Sequence, residues 1–145
     1  MTTDQSIAAW QHYKQTMTAR PTLWAAARAN DAAELARLLD EGCPINERDH
    51  RGYAPLMLAA YAGNVEALEL LLARGADPNT ADLFGNTVLM GAAFKGFVPI
   101  VVRLLAAGAD PATTNYGGLD ARGFALTFGR TDVFAVLDQR GSVRA

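Results

Sequence analysis

Two histidines, one cysteine and two serines are the side chains from which most nucleophilic or metal chemistry would have to be built. His12 and His50 fall in different elements, and neither has a cysteine or an acidic cluster beside it. A tetrahedral zinc site takes three or four Cys, His or carboxylate ligands, and Cys43 alone supplies one. It stands where later copies of the same segment carry Ala76 and Ala109, so a small buried filler is the expectation. Ser6 and Ser142 lie near opposite ends of the chain, so neither is paired with a base and an orienting group for acyl transfer. Gly117-Gly118 has neither a phosphate-binding lysine nor dinucleotide-binding spacing, and reads as a turn. Asp77 and Asp110 recur periodically in cap-like places, which marks them as scaffold. No catalytic constellation, metal set or cofactor motif emerges. The expectation is a protein without enzymatic activity or cofactor.

Composition narrows the classes further. The chain has 145 residues, half of them hydrophobic, which suits one compact domain or one short array and argues against disorder. Its formal net charge is −2 and no basic run is present, so the clustered positive stripe needed for nucleic-acid binding is missing. The opening MTTDQSIAAW has an early acid and no continuous apolar core, unlike a secretory signal. The uninterrupted apolar runs are too short to span a bilayer, so no membrane partner is expected. A cytoplasmic protein, monomeric on its own, is the expectation.

The elements that position these residues repeat. GYAPLMLAAYAGNVEALELLLARGADPNTAD, Gly52 to Asp82, returns as GNTVLMGAAFKGFVPIVVRLLAAGADPATTN, Gly85 to Asn115, at a fixed offset of 33 residues. A period of this length means a stacked array rather than a single globule. Within one unit, Asp49-His50-Arg51-Gly52 is a polar turn, and Pro55 suits the first position of a helix. Leu56 to Ala62 is a short helix stopped by Gly63. Val65, Leu68, Leu71 and Leu72 form one apolar face of a second helix, from about Val65 to Ala73, which Gly75 stops. Neither helix is long enough to be stable alone, so stacking on the next unit must stabilise both.

These units resemble ankyrin repeats. The family pattern, approximately D-x-x-G-x-T-P-L-H-x-A-A-x-x-G and then x-x-x-x-V-x-x-L-L-x-x-G-A-D-x-N, is met nearly throughout from Asp49 and from Asp82. Weaker copies flank them. Leu23, Ala26, Ala27, Leu38, Leu39, Gly42 and Asn46 keep the register upstream, with Pro21-Thr22 reversing the usual order. Asn115, Gly118, Ala125, Gly129, Leu137 and Gly141 keep it downstream, with Asp120 as the helix cap. The resemblance implies an all-α solenoid of about four helix-turn-helix repeats with β-hairpin-like fingers. The repeats are expected at about 17–48, 49–81, 82–114 and 115–142, within an array spanning 18–145. Ile7, Trp10, Tyr13 or Lys14, and Met17 fall at helical spacing, so 1–17 is read as a capping segment with a helix over Ser6–Met17. Arg122 and Asp138 replace the Leu56/Leu89 and Leu72/Leu105 positions, which suggests that no fifth repeat stacks there.

What the resemblance implies about function is a surface. In this family the partner protein is usually held by the finger tips and by the inner helices that line a concave face. Carried over, the tip positions are His50, Arg51 and Tyr53, then Leu83, Phe84 and Asn86, then Tyr116 and Leu119. The inner-helix positions are Trp24 and Arg28, Met57 and Tyr61, Met90, Phe94 and Lys95, and Phe128. Aromatics and methionines recur at these places, which is the composition of a binding hot region. Tyr61 and Phe94 occupy the same position in successive repeats and are expected to line the groove as equivalent exposed anchors. The reading is a non-catalytic module that binds another protein. The alternative is a small inhibitor or immunity-type protein, or an enzyme accessory. The short array with LMGAAFKG is similar to small stand-alone bacterial ankyrin proteins, some of which accompany catalases.

Overall fold

The computed structural model describes residues 5–9 and 22–142. Residues 5–9 are helical and exposed, and all but Gln5 fall inside the expected capping helix. Its other positions (Trp10, Tyr13, Lys14 and Met17), with His12, lie outside the described residues. Eight further helices follow in four pairs. They are α1 Leu23–Arg28 and α2 Ala32–Asp40, then α3 Pro55–Tyr61 and α4 Val65–Ala73. The third pair is α5 Val88–Lys95 and α6 Val98–Ala106, and the fourth is α7 Ala121–Thr127 and α8 Thr131–Ser142. Each pair is referred to below as one repeat.

Local chemistry sets the helix starts. Thr22, Thr87 and Asp120 cap α1, α5 and α7 by accepting from the backbone N–H of Ala25, Met90 and Gly123, at 3.1, 3.2 and 2.8 Å. These bonds satisfy amide donors that the first helical turn leaves free. Ala54 offers no such cap, and there Pro55 stands in the first turn, where a missing N–H costs nothing. Gly96 closes α5 in the left-handed region, at φ 77°. In the first repeat Asn30 takes the equivalent place at φ 56°, and its side-chain oxygen accepts from the Ala67 N–H at 3.0 Å. Asparagine is among the few residues that enter this region readily.

Packing runs from neighbour to neighbour. The inner helices α1, α3, α5 and α7 stack in order, and the outer helices α2, α4, α6 and α8 form a second layer behind them. Leu38, Leu71, Leu104 and Leu137 recur at the period of 33 and make one buried column through all four repeats. The small residues Ala26, Ala59, Ala92 and Ala125 form a second column and let the inner helices approach closely. Cys43 differs from the expectation: it is half-buried, whereas Ala76 and Ala109 in the same place are buried. The first copy of that loop covers it less completely.

Polar side chains stitch the repeats. Asn64 Nδ2 donates to the carbonyls of Ala27 and Arg28, each at 2.8 Å, closing the end of α1. Arg130 Nε does the same for Phe94 at 2.8 Å. Between the second and third repeats that place belongs to Phe97, whose ring rests against Gly63. Along the loops, Asn46 accepts from the Asp77 N–H at 2.9 Å, and Asn79 accepts from the Asp110 N–H at 2.7 Å. Among the described residues the fingers are tight turns more than paired strands, with one antiparallel bridge between Ala81 and Thr87. At the far face of the fourth repeat, Arg122 pairs with Asp138 at 2.7 Å and lies 5.3 Å over the Phe134 ring. Both partners of that pair are open to water.

Candidate partner-binding face

Each finger tip is built on one side-chain oxygen. Asp49 Oδ1 accepts from the N–H of Arg51 and Tyr53, at 2.9 and 3.0 Å. Asp82 Oδ1 accepts from Phe84 and Asn86, both at 2.9 Å. Asn115 Oδ1 accepts from Gly117 and Leu119, both at 2.9 Å. Asp and Asn are suited to this because a short side chain can replace the backbone as turn acceptor. The second and third tips are tied to each other: Tyr116 N–H donates to the Phe84 carbonyl at 3.1 Å, and Asn115 Nδ2 to Asn86 Oδ1 at 2.8 Å. The tips therefore hold their outward side chains on a fixed frame. Phe84 is 71% exposed and Tyr116 83%, with Leu83 beside them also exposed. His50 and Arg51 are exposed on the first tip, where the Arg51 guanidinium lies 4.7 Å over the Tyr53 ring.

Below the tips a pocket of about 300 Å³ opens between the second, third and fourth repeats. Tyr53, Tyr61, Asn86, Met90, Phe94, Lys95 and Phe128 line it, all of them positions implied by the family resemblance. Its aromatic walls are ordered by edge-to-face packing. Tyr53 and Tyr61 stand 5.8 Å apart, and Phe94 and Phe128 4.7 Å apart, near perpendicular in both cases. Three lining residues were not among those singled out: Asp82, Gly91 and Phe124. Gly91 and Phe124 fall where the second repeat has Leu58, so a break in the repeat's own pattern was the available signal.

Gly91 governs the pocket's shape. A Cβ there would lie 1.6 Å from the Tyr61 ring, so the absent side chain is what lets that ring settle on α5. Tyr61 is half-buried as a result, and is not the open anchor that its position suggested. Burial, with the Asp82 carboxylate and then Tyr53 nearby, pushes the Tyr61 phenol well above its ordinary pKa. In the next repeat Phe124 stands in the place of Gly91, and Phe94 stays 39% exposed and leans on Phe128.

Other expected positions divide as follows. Arg28, Lys95 and Phe128 are exposed, while Trp24, Tyr53 and Asn86 are half-buried. Trp24 Nε1 donates to the Tyr53 carbonyl at 2.9 Å, so its ring lies against the first tip. Met57 and Met90 correct the expectation of exposed methionines, because both are fully buried. They stand in the first turn of α3 and α5, where a long side chain folds back towards the helix start. Met90 Sδ there accepts from the Thr87 N–H at 3.3 Å.

The family model for ankyrin repeats (3 copies) matches residues 22–115, and the chain belongs to the ankyrin-repeat family. Ankyrin repeats are generally protein–protein interaction modules and generally lack catalysis of their own. No curated protein matches the chain. Among the described residues, no group of three His, Cys, Asp or Glu comes together to hold a metal. No described helix is long and apolar enough to cross a membrane.

Proposed function

We propose that this chain is a non-catalytic binding module that holds a partner protein against its concave side, between the finger tips and the inner helices. One observation carries this reading. Large apolar side chains that remain in water gather there: Leu83, Phe84 and Tyr116 on the tips, Phe94 and Phe128 at the ends of α5 and α7. Burying such side chains is favourable by about 1.5–3 kcal/mol each, and a monomer has no reason to keep them together on one side. The relevant partner surface is one that covers both tips and pocket at once.

Phe94→Ala tests the reading. Truncating an interface anchor costs about 2 kcal/mol or more, around thirtyfold in affinity. An exposed site changes folding stability by only about half a kcal/mol. The variant is expected to melt close to the parent yet lose capture of the partner from native extract. A variant that melts far lower, and whose folded fraction still captures the partner, would show that this ring is core.

A further inference from the structure

The charges on the two layers differ in kind. Within their helical bounds, α1, α3, α5 and α7 carry Arg28, Lys95 and Arg122 and no Asp or Glu. Of the outer helices, α2, α4 and α8 carry Glu34, Asp40, Glu66, Glu69, Asp132 and Asp138, and α6 has no acid. Three outer cations are neutralised in place: Arg37 pairs with Glu34 and Glu41, Arg74 with Asp40, and Arg103 with Glu69. Arg122 is likewise paired, with Asp138 at the array's end. Arg48 and Arg130 donate to the carbonyls of Ala81 and Phe94, and Arg28 and Lys95 differ from all of these. Both are exposed at the ends of inner helices on either side of Tyr61, and neither side chain has a hydrogen-bond or ion-pair partner among the described residues.

The carboxylates on this side are already engaged. Asp82 is buried, and its oxygens accept from Phe84 N–H, Asn86 N–H and Asn86 Nδ2. Asp49 binds two tip amides and Arg51. A chain of net charge −2 thus leaves two cations unpaired at the ends of its inner helices, and one of them, Lys95, borders the apolar pocket. Asp82 in the pocket wall has its oxygens taken by amide donors, while at the rim an incoming carboxylate would find Lys95 free and a cation would meet like charge.

We propose that the pocket between Tyr61, Phe94 and Phe128 takes one bulky apolar side chain from a partner segment that also carries carboxylates, which pair with Lys95 and Arg28. This rests on the concave-side reading above and gives the partner its chemistry: an acidic-hydrophobic stretch of protein. Lys95 borders the pocket itself, so the acid belongs next to the inserted side chain in sequence. Arg28, at the end of α1, is reached by a second acid further along.

The full-length chain, immobilised, is used to select from a displayed library of random linear peptides. Enriched peptides are then made synthetically and titrated by fluorescence anisotropy. They are expected to share an aromatic residue or leucine next to Asp or Glu, and to bind more weakly as salt is raised. Lys95→Glu should lose about tenfold or more in affinity, because it sets like charges together, while Lys95→Arg keeps it. Thermal melts of both variants verify the fold. Peptides without acids, or binding indifferent to Lys95→Glu, would overturn the proposal, as would a selection that enriches nothing. Phe128→Ala separates the two readings. If it releases enriched peptides that lack acids, the concave site stands and only the partner chemistry fails. If acidic peptides bind it as well as the parent, the site itself is elsewhere.

Discussion

Tyr61 and Phe94 end the inner helices of successive repeats, one ring settled and the other left standing. Their own positions are equivalent, so the cause lies in what each meets next. Tyr61 faces Gly91, and the missing side chain makes room for its ring on α5. Phe94 faces the fourth repeat, where Phe124 occupies the place of Gly91 and stacks with Phe128 at 6.0 Å. At the junction of the second and third repeats the ring is therefore packed down as one wall of the pocket, and at the next junction Phe94 is left standing as another. In a stacked array, the exposure of a residue is decided one repeat away from it.

The broadest way to break this comparison is to remove what the junctions share. Leu71→Ala or Leu104→Ala empties the buried leucine column and should destabilise by about 2–5 kcal/mol, read by denaturant unfolding. Gly91→Ala strikes the junction of the second and third repeats alone. The methyl group overlaps the Tyr61 ring, and despite alanine's better helix propensity the expected loss is about 1–3 kcal/mol, with Tyr61 displaced towards solvent. A variant as stable as the parent would mean that the ring moves at no cost.

Alkaline pH sharpens the same point more gently. The Tyr61 phenol is held protonated by burial, so its folded pKa exceeds the unfolded value of about 10. Its contribution to stability is complete below that unfolded value and is lost as pH rises towards the folded one, because the unfolded chain releases the proton first. Tyr61→Phe should flatten the fall in melting temperature above about pH 10. The smallest effect is expected from Arg122→Leu. The Arg122–Asp138 pair is open to water, and its loss should change stability by no more than about half a kcal/mol.

Most of the scaffold was legible because each repeat states the same physics twice or more. Pro55 at a helix start, Val65 to Ala73 as a helix, Asp120 as a cap and the polar Arg122–Asp138 end all follow from residue type at a fixed period. Seven of the positions carried over from the family line one pocket, among them the buried Met90. What could not be read was depth. Met57 and Met90 occupy family surface positions, but a flexible side chain in the first helical turn folds back and buries itself. Gly91 carries no side chain to notice, although it decides where Tyr61 goes. The tightness of the finger turns was equally hidden, because an Asp or Asn oxygen binding two amides holds each tip with little strand pairing.

The asparagines between repeats have a consequence for how the array can be watched. Loop amides usually exchange their hydrogens with water quickly, since nothing holds them. Those of Asp77 and Asp110 are held by Asn46 and Asn79, side chains that belong to the preceding repeat. Their exchange therefore requires a side chain of the preceding repeat to let go, and not merely a loop to flex. Each amide is a built-in reporter of the loop contact across one junction, the first with the second repeat and the second with the third.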